Sequence, residues 1–239
     1  MSKIGIQKIK ISLSWSGGKD SAYTLFKLLQ DDRFEVVNLH TTFGEESRRV
    51  GMHGIHEELI KMQAAALNLP LVKIYYPASG DNMAYEKAIN LFLDELKQED
   101  IHHIAYGDIF LKDLRKYRED QLAKKDFKAV FPLWAKDTST LAADFIDHGF
   151  KTIICAADAD KVDPEWVGRD FDSQFLAALP EEVDRCGENG EFHSFCYNGP
   201  IYKESLPVQI GEKIKKSYSF KYADGTEGEK WFWFVEISK

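Results

Sequence analysis

The stretch SWSGGKDS, which ends at residue 21, holds the residue types of this chain that are best suited to bind an anion. Its last six residues are called the glycine loop (residues 16–21) below. Gly17 and Gly18 let a ligand approach the backbone closely, and Lys19 adds a positive charge. Asp20 is a poor phosphate ligand but a good Mg²⁺ ligand. Two interpretations remain open on residue types alone, a phosphate site and a glycine turn capped by a polar side chain.

The spacing of the glycine loop differs from two common phosphate-binding motifs. A Walker A loop has the pattern GxxxxGK followed by Ser or Thr. Here Asp20 follows Lys19, and Leu13 stands where the first glycine should be. The loop also lacks the GxGxxG pattern of dinucleotide-binding folds. It still precedes a helix-like run, and the N-terminus of a helix attracts anions through its free N–H groups and its dipole.

The first half of the chain alternates strand-like and helix-like segments, which would place the glycine loop at the end of a strand. Predicted strands are 9–14, 34–43, 71–76 and 101–110, and predicted helices are 20–30, 55–70 and 83–98. Strands joined by helices pair in parallel and favour a doubly wound, Rossmann-like α/β sheet. Ligands bind such sheets at the carboxyl ends of the strands, which are here 14–21, 41–43, 76–79 and 107–110.

In the second half of the chain, strand-like and helix-like segments alternate less regularly. Predicted elements are a helix over 138–149 that ends near Gly149, a strand over 150–157, a short helix over 172–180, and a hairpin in the tail beyond residue 205. We therefore predict an α/β domain over 1–130, which carries the glycine loop, and a smaller α+β domain over 131–239.

The composition narrows the class of protein. The chain has 239 residues, 44% of them apolar, and a formal net charge of −8, which argues against broad nucleic-acid binding. No apolar run approaches the roughly 18 residues of a membrane span, and the N-terminus shows no secretory pattern. The three cysteines form no CxxC pair. We expect a cytoplasmic protein with reduced thiols that does not enter a membrane.

Several stretches resemble one protein family. The letters SGGKDS resemble the signature of the PP-loop ATP pyrophosphatases, which split ATP into AMP and pyrophosphate. The segments GDIFLKDLRKYRE (107–119), FPLWAKDT (131–138), WVGRDFD (166–172) and GENGEFHSF (187–195) resemble successive motifs of the diphthine–ammonia ligase family. They run in family order over roughly residues 10–200. The resemblance implies a HUP-type domain followed by a smaller domain, and an enzyme that adenylates a carboxylate and then amidates it with ammonia.

Other candidate residues lie outside the glycine loop. Asp108 lies at the end of the predicted strand 101–110, where a catalytic group would stand in this architecture. Arg115 and Arg118 are three residues apart on a helix-like run and could clamp phosphate or carboxylate oxygens, or could belong to a solvated helix face. Arg169 matches a Gly-Arg signature of the family, although a surface ion pair is an equal alternative. The resemblance favours functional roles for Asp108 and Arg115.

The stretch GENGEF (187–192) places two acidic residues around two glycines. Glu188 and Glu191 could hold a metal, orient an amine or take a proton from ammonia, or they could form an ordinary acidic turn. With the resemblance, this turn is interpreted as the site of the acceptor substrate. His193 departs from the acidic residue that many family members carry there, which leaves the identity of the acceptor open.

Together these considerations predict three groups of residues. The predicted catalytic residues are Lys19, Asp20, Asp108, Arg115, Glu188 and Glu191. The predicted ATP-binding residues are Ser14, Ser16, Gly17, Gly18, Lys19, Asp20, Ser21, Thr41, Thr42, His53, Gly107 and Asp108, with Asp20 as the Mg²⁺ ligand. The predicted acceptor-binding residues are Arg118, Arg169, Glu188, Glu191 and His193.

Some alternatives remain open. The pattern HExxH of zinc enzymes fails at Ile60, so the histidines near it do not indicate zinc. The acceptor is either diphthine, a modified histidine of elongation factor 2, or an unknown small carboxylate, and the nucleophile is ammonia or another amine. The aromatic run WFWF (231–234) favours packing or a homodimer interface. The other candidate functions are a non-catalytic adenine-nucleotide-binding regulator and an RNA-modifying PP-loop enzyme.

Overall fold

The computed structural model describes residues 7–77, 82–221 and 227–239, and within them the first half of the chain forms a parallel sheet. Its five strands lie in the order β3-β2-β1-β4-β5. Their bounds are β1 Ile9–Ser14, β2 Phe34–Gly44, β3 Leu71–Tyr76, β4 His103–Ala105 and β5 Lys128–Val130. The predicted doubly wound α/β sheet is confirmed. The strand order reverses between β1 and β4, and open α/β sheets bind their ligands at such a switch point.

Six α-helices lie between and after these strands: α1 Lys19–Leu29, α2 Glu57–Leu67, α3 Asn82–Gln98, α4 Lys112–Ala123, α5 Thr138–Asp147 and α6 Ser173–Ala178. Local signals explain their ends. The His56 imidazole accepts a hydrogen bond from the Glu58 N–H and so caps α2, and Asn68 ends that helix in the left-handed region with φ 54°. The predicted helix over 55–70 was therefore too long at both ends.

The predicted strand over 101–110 is also wrong in extent, because β4 ends at Ala105. The segment that follows turns towards the glycine loop instead of extending the sheet. A Cβ on Gly107 would lie 3.1 Å from the carbonyl carbon of Asp20, so this close approach requires glycine. Ile109, one of the apolar residues that suggested a longer strand, packs in the core after the strand has ended.

The second half of the chain forms a smaller antiparallel sheet in the order β7-β6-β9-β8. Its strands are β6 Lys151–Asp158, β7 Phe192–Asn198, β8 Gln209–Lys221 and β9 Glu227–Ser238. The predicted hairpin is present as β8 paired with β9 from Gln209 opposite Ser238 to Lys221 opposite Glu227. Residues 222–226 between these strands, like the predicted strand end at 78–79, lie outside the described residues.

The two sheets share one core, which fixes α1 in place. Tyr23 of α1 packs edge-on against Phe145 of α5 and against Phe150, and the last two rings stack with centroids 4.5 Å apart. All three side chains are almost completely buried. The helix that begins at the glycine loop is thus held by elements of the second half. The division at residue 130 stays a prediction. Among the described helices, none is long and apolar enough to cross a membrane.

Candidate active site

The glycine loop begins α1 in a form suited to an anion. Gly17 has φ +82°, and Gly18 is the N-cap in an extended conformation without a side-chain cap. The Gly18 N–H donates to Ser16 Oγ at 3.3 Å, and the Lys19 N–H donates to Ser194 Oγ at 3.1 Å. The first turn of a helix has N–H groups without intrahelical acceptors. The N–H groups of Asp20 and Ser21 belong to this first turn, which is where a helix binds an anion.

Gln63 of α2 fixes the glycine loop against the second sheet. Its Nε2 donates to Gly17 O at 2.9 Å and to Cys196 O at 2.6 Å, and its Oε1 accepts from Trp15 Nε1 at 2.8 Å. The Cys196 N–H also donates to Gly17 O, at 2.8 Å. Because Gln63 is fully buried, each of these bonds is made away from water. The conformation of the loop therefore depends on both halves of the chain.

A cavity of about 280 Å³ opens beside the glycine loop. Most of the predicted site residues line it: Ser14, Ser16, Lys19, Asp20, Ser21, His53, Gly107, Asp108, Arg118, Glu188 and His193. The other lining residues were not among the predicted site residues, although most of them lie in the segments that resemble the family; they are Tyr106, Leu111, Leu114, Gly187, Gly190, Phe192 and Ser194. Residues from the carboxyl ends of β1 and β4 thus meet in one place, with residues of β7 of the second sheet beside them.

Lys19 and Asp20 form an ion pair at the cavity wall. Lys19 Nζ lies 2.7 Å from both carboxylate oxygens of Asp20 and faces the rings of Phe171 and Phe192 at 5.9 and 5.6 Å. Burial, the largest single effect, would lower the pKa of Lys19, but the charge and hydrogen bonds of Asp20, together with smaller effects of Cys186 and Glu188, outweigh burial and raise the pKa. The lysine is therefore charged at neutral pH, ready to pair with phosphate oxygens.

Asp108 pairs with Arg118 at the same cavity. Arg118 Nη2 donates to Asp108 Oδ1 at 3.2 Å, and Nε lies 2.7 Å from Oδ2 as an ion pair that is out of line for a hydrogen bond. The guanidinium stacks over the Tyr106 ring at 4.1 Å. Burial raises the pKa of Asp108 above its usual value, and Arg118 opposes that shift. The spacing of the arginines on α4 thus brings one of them, Arg118, into the cavity.

Glu188 is held at the cavity by backbone amides of the segment after β4. Its Oε1 accepts from the Ile109 N–H at 2.7 Å and from the Phe110 N–H at 3.3 Å. Burial, together with the nearby charge of Asp20, raises the pKa of Glu188 to about 7, although these two backbone hydrogen bonds oppose the shift. A carboxyl group that titrates near neutral pH is suited to general acid–base chemistry.

Two other carboxylates shape the acidic turn (residues 184–191) that carries Glu188. Asp184 Oδ1 accepts from the N–H groups of Cys186 and Glu188, each at 3.0 Å. Glu191 Oε1 accepts from the Asp184 N–H at 3.3 Å and from Asn189 Nδ2 at 3.0 Å. Glu191 is buried and is absent from the cavity lining, so in this structure it supports the turn from behind.

A second cavity of about 130 Å³ adjoins the first, with which it shares Ser14, Ser16, Tyr106 and Arg118. The predicted nucleotide residues Thr41 and Thr42 line it, together with apolar and aromatic side chains that include Trp15, Val50, Ile89, Leu93 and Tyr85. Thr41 Oγ1 donates to Trp15 O at 2.6 Å. A mostly apolar cavity next to an anion site suits a nucleoside joined to phosphates.

Two predicted residues lie away from both cavities. Arg115 is stacked between Phe131 and Trp134, at 4.9 and 4.5 Å, and pairs with Glu119 on the surface of α4. Arg169 stacks on Trp166 at 4.2 Å and pairs with Glu165. Each has a local partner that accounts for its position.

Comparison with known proteins defines the family. A model described as the diphthamide synthase N-terminal domain matches residues 9–126, and one described as the diphthamide synthase C-terminal domain matches residues 137–225. The chain belongs to the diphthamide synthase family. It is therefore an enzyme, an ATP-using ligase. No membership of a finer group follows from this match.

Proteins with similar sequences are named diphthine–ammonia ligases, in agreement with this family. The diphthine–ammonia ligases of Mus musculus and Homo sapiens are 24% and 23% identical to it, over 87% and 86% of the chain and 86% and 85% of their own lengths. The Schizosaccharomyces pombe enzyme of the same name is 23% identical over 84% of the chain but only 36% of its own length. A solved structure of the U34-tRNA thiolase NcsA from Methanococcus maripaludis, with a 4Fe–4S cluster, matches with 16% identity over 61% of this chain and 59% of that one. Its TM-score of 0.34 is too low to bear on function.

The residues of the site fit a magnesium ion that arrives with a nucleotide. Among the described residues, no group of three or more His, Cys, Asp or Glu side chains is placed to hold a metal. Mg²⁺ commonly needs only one or two protein carboxylates when phosphates supply the other oxygens. Asp20 is 35% exposed and is directed at the cavity beside the α1 N-terminus. It can supply that carboxylate once phosphates draw Lys19 away.

Proposed function

We propose that the chain adenylates a carboxylate with ATP and then converts it to an amide with ammonia. The observation that carries the proposal is one cavity with an anion-binding helix N-terminus at one wall and Glu188, a carboxyl group poised near neutral pH, at another. Such a cavity holds a phosphate chain and an acceptor within reach of each other. Membership of the family and the names of the relatives support the reaction type.

In this proposal the glycine loop binds the β- and γ-phosphates of ATP. The backbone amides of Asp20 and Ser21 and the Lys19 ammonium contact the phosphate oxygens, while Asp20 binds Mg²⁺. The adenosine occupies the adjoining cavity near Thr41 and Thr42, and Gly107 lies beside the glycine loop in the larger cavity. This division places the α-phosphorus between the two cavities, where Arg118 reaches it from α4.

The first chemical step is attack of the acceptor carboxylate oxygen on the α-phosphorus, which breaks the bond to the β-phosphate and releases pyrophosphate. Lys19 and Arg118 stabilise the negative charge that develops on the phosphate oxygens. Ammonia then attacks the acyl carbon, AMP leaves, and Glu188 accepts the proton that the nitrogen loses. Arg118 and Glu188 line the wall that faces the acceptor, and Asp108 orients Arg118.

The acceptor is diphthine, as in the names of the relatives, or a small carboxylate, and ammonia is the amine donor.

We also propose where the protein is located and how it assembles. The three buried thiols suit a reducing compartment, which supports a cytoplasmic location. Trp231, 41% exposed on β9, supports a homodimer.

Isotope exchange between ATP and pyrophosphate tests the proposal. We expect exchange only when the correct carboxylate is present, from a panel that includes diphthine-bearing elongation factor and small carboxylates, and amide formation only when ammonium is added. Lys19→Ala and Asp20→Ala abolish exchange. The matched control is Lys116→Ala, which removes a surface ion pair with Asp120 of the same 2.7 Å length.

Two results would count against the proposal. Exchange that survives both glycine-loop substitutions would place the reaction elsewhere. Tight ATP binding without exchange for any acceptor would instead support a nucleotide-binding regulator.

A further inference from the structure

Two histidines face each other at the junction of the two sheets. His53 lies between β2 and α2, and His193 is the second residue of β7. Their ring centroids are 4.7 Å apart, with an interplanar angle of 42°. A Cβ on Gly18, the N-cap of α1, would lie 3.1 Å from His53 Nε2. Both rings line the larger cavity, so the pair stands beside the position that an anion on the glycine loop would occupy.

The surroundings keep both imidazoles neutral at pH 7. Burial, and then the charges of His193 and Lys19, hold the pKa of His53 well below its usual value. Burial and then Lys19 lower the pKa of His193 to about 4. The elements behind the pair contribute apolar groups, since β6 places Ala156 opposite His193 and β9 brings Phe234 against Gly54.

Acidic groups also line the cavity, namely Asp20, Asp108 and Glu188. Each has a partner inside the protein. Asp20 is paired with Lys19, Asp108 with Arg118, and Glu188 with the backbone amides after β4. The lysine that faces both histidines is thus the charge that a bound phosphate would neutralise.

We propose that His53 and His193 donate hydrogen bonds to the pyrophosphate portion of bound ATP, and that the pair takes up a proton from solvent as ATP binds. This inference rests on the proposed function, because it requires phosphates on the glycine loop. Phosphate oxygens bring negative charge next to the rings and offset Lys19, and both effects favour the protonated imidazole. The proton leaves again to solvent when pyrophosphate departs.

This proton would assist the first chemical step. Charge builds on the bridging and terminal oxygens of the leaving pyrophosphate, and an imidazolium beside them stabilises that charge. It also makes ATP affinity depend on pH. By linkage, the affinity rises as pH falls, by up to about tenfold per pH unit for one proton taken up. If the two rings only pack the sheets together, ATP binding takes up no proton through them.

Calorimetry counts the protons. A non-hydrolysable ATP analogue with Mg²⁺ is titrated into the full chain near about pH 6.5, in two buffers of different ionisation enthalpy. We expect the wild type to take up between about half a proton and one proton. His53→Gln and His193→Gln keep an N–H donor but do not titrate, so each lowers the uptake and the double variant abolishes it.

His102→Gln is the control, because His102 is a surface residue paired with Asp100 and 37% exposed. It retains the wild-type uptake, and protonation of the analogue itself cancels between variants. Unchanged uptake in a folded double variant overturns the inference, as does wild-type binding without uptake. If the wild type shows ATP–pyrophosphate exchange but no uptake, this inference alone fails. If the analogue does not bind, the proposed function fails as well.

Discussion

Gly17→Ala is the substitution whose effect the structure specifies most closely. Gly17 has φ +82°, and a Cβ there would lie 2.6 Å from Ile60 Cδ1 and 2.7 Å from Gln63 Oε1. A left-handed conformation costs an L-residue about 1–2 kcal/mol, and overpacking a core adds about 1–3 kcal/mol. The contact with Gln63 also breaks the bonds that fix the glycine loop to β7. We therefore expect a loss of about 2–5 kcal/mol of stability together with loss of ATP binding.

Gly149→Ala is the matched control. Gly149 has φ +80°, but a Cβ there would meet nothing within 4 Å. The control carries the conformational cost alone, about 1–2 kcal/mol. For a chain of this length 1 kcal/mol corresponds to about 2–4 °C in melting temperature, so thermal melting separates the two variants. Calorimetry with an ATP analogue should show at least about tenfold weaker binding for Gly17→Ala only. Equal melting temperatures, or unchanged ATP affinity in Gly17→Ala, would refute the reasoning.

Four further predictions concern Glu188, Arg118 and the three thiols. Because the pKa of Glu188 is raised to about 7, its side chain is fully ionised only above that pH, and we expect the amidation rate to rise through neutral pH. Glu188→Gln removes this rise of the rate with pH and slows amidation by about 10²–10⁴-fold. The raised pKa also means that the folded state holds the Glu188 proton more tightly than the unfolded state, so the free energy of unfolding falls as pH rises from the usual glutamate range to 7. Above pH 7 we therefore expect Glu188→Gln to have a higher melting temperature than the wild type. Arg118→Ala lowers kcat/KM by at least about tenfold, whereas Arg169→Ala, which removes a similar stack and ion pair outside the cavities, changes it less than about twofold; equal effects would contradict the assignment. Burial raises the pKa of all three thiols, so an aromatic disulfide reagent labels none in the folded chain and three after unfolding in guanidinium; the residues are Cys155, Cys186 and Cys196.

The sequence predicts those parts of the fold that depend on local signals. β1 was predicted at its exact bounds and α1 to within one residue, because an apolar run, a glycine pair and an amphipathic run follow one another within 20 residues. β4 was predicted too long, since nothing local shows that Gly107 must approach Asp20. β5, with three residues, was missed because it is too short to show a periodic pattern.

The candidate site also has one part that the sequence predicts and another that it does not. The members of the glycine loop could be predicted, because they are adjacent in sequence. Gln63 and Ser194 could not, since each reaches the loop across 46 or 175 residues. The acidic turn is a second case in which the sequence does not distinguish the roles of two residues. Its two glutamates look equivalent in sequence, but packing places Glu188 at the cavity and buries Glu191 behind the turn. Tertiary contacts, which no periodic pattern encodes, decide the difference.

The central claim is that the polyphosphate of ATP lies on the glycine loop with Asp20 bound to its magnesium ion. A crystal structure with a non-hydrolysable ATP analogue and Mg²⁺ tests it most directly. The account predicts phosphate oxygens within hydrogen-bond distance of the Asp20 and Ser21 amides and of Lys19 Nζ, and adenine in the cavity lined by Thr41 and Thr42. Phosphates bound away from residues 16–21, or a magnesium ion without Asp20 among its ligands, would contradict it.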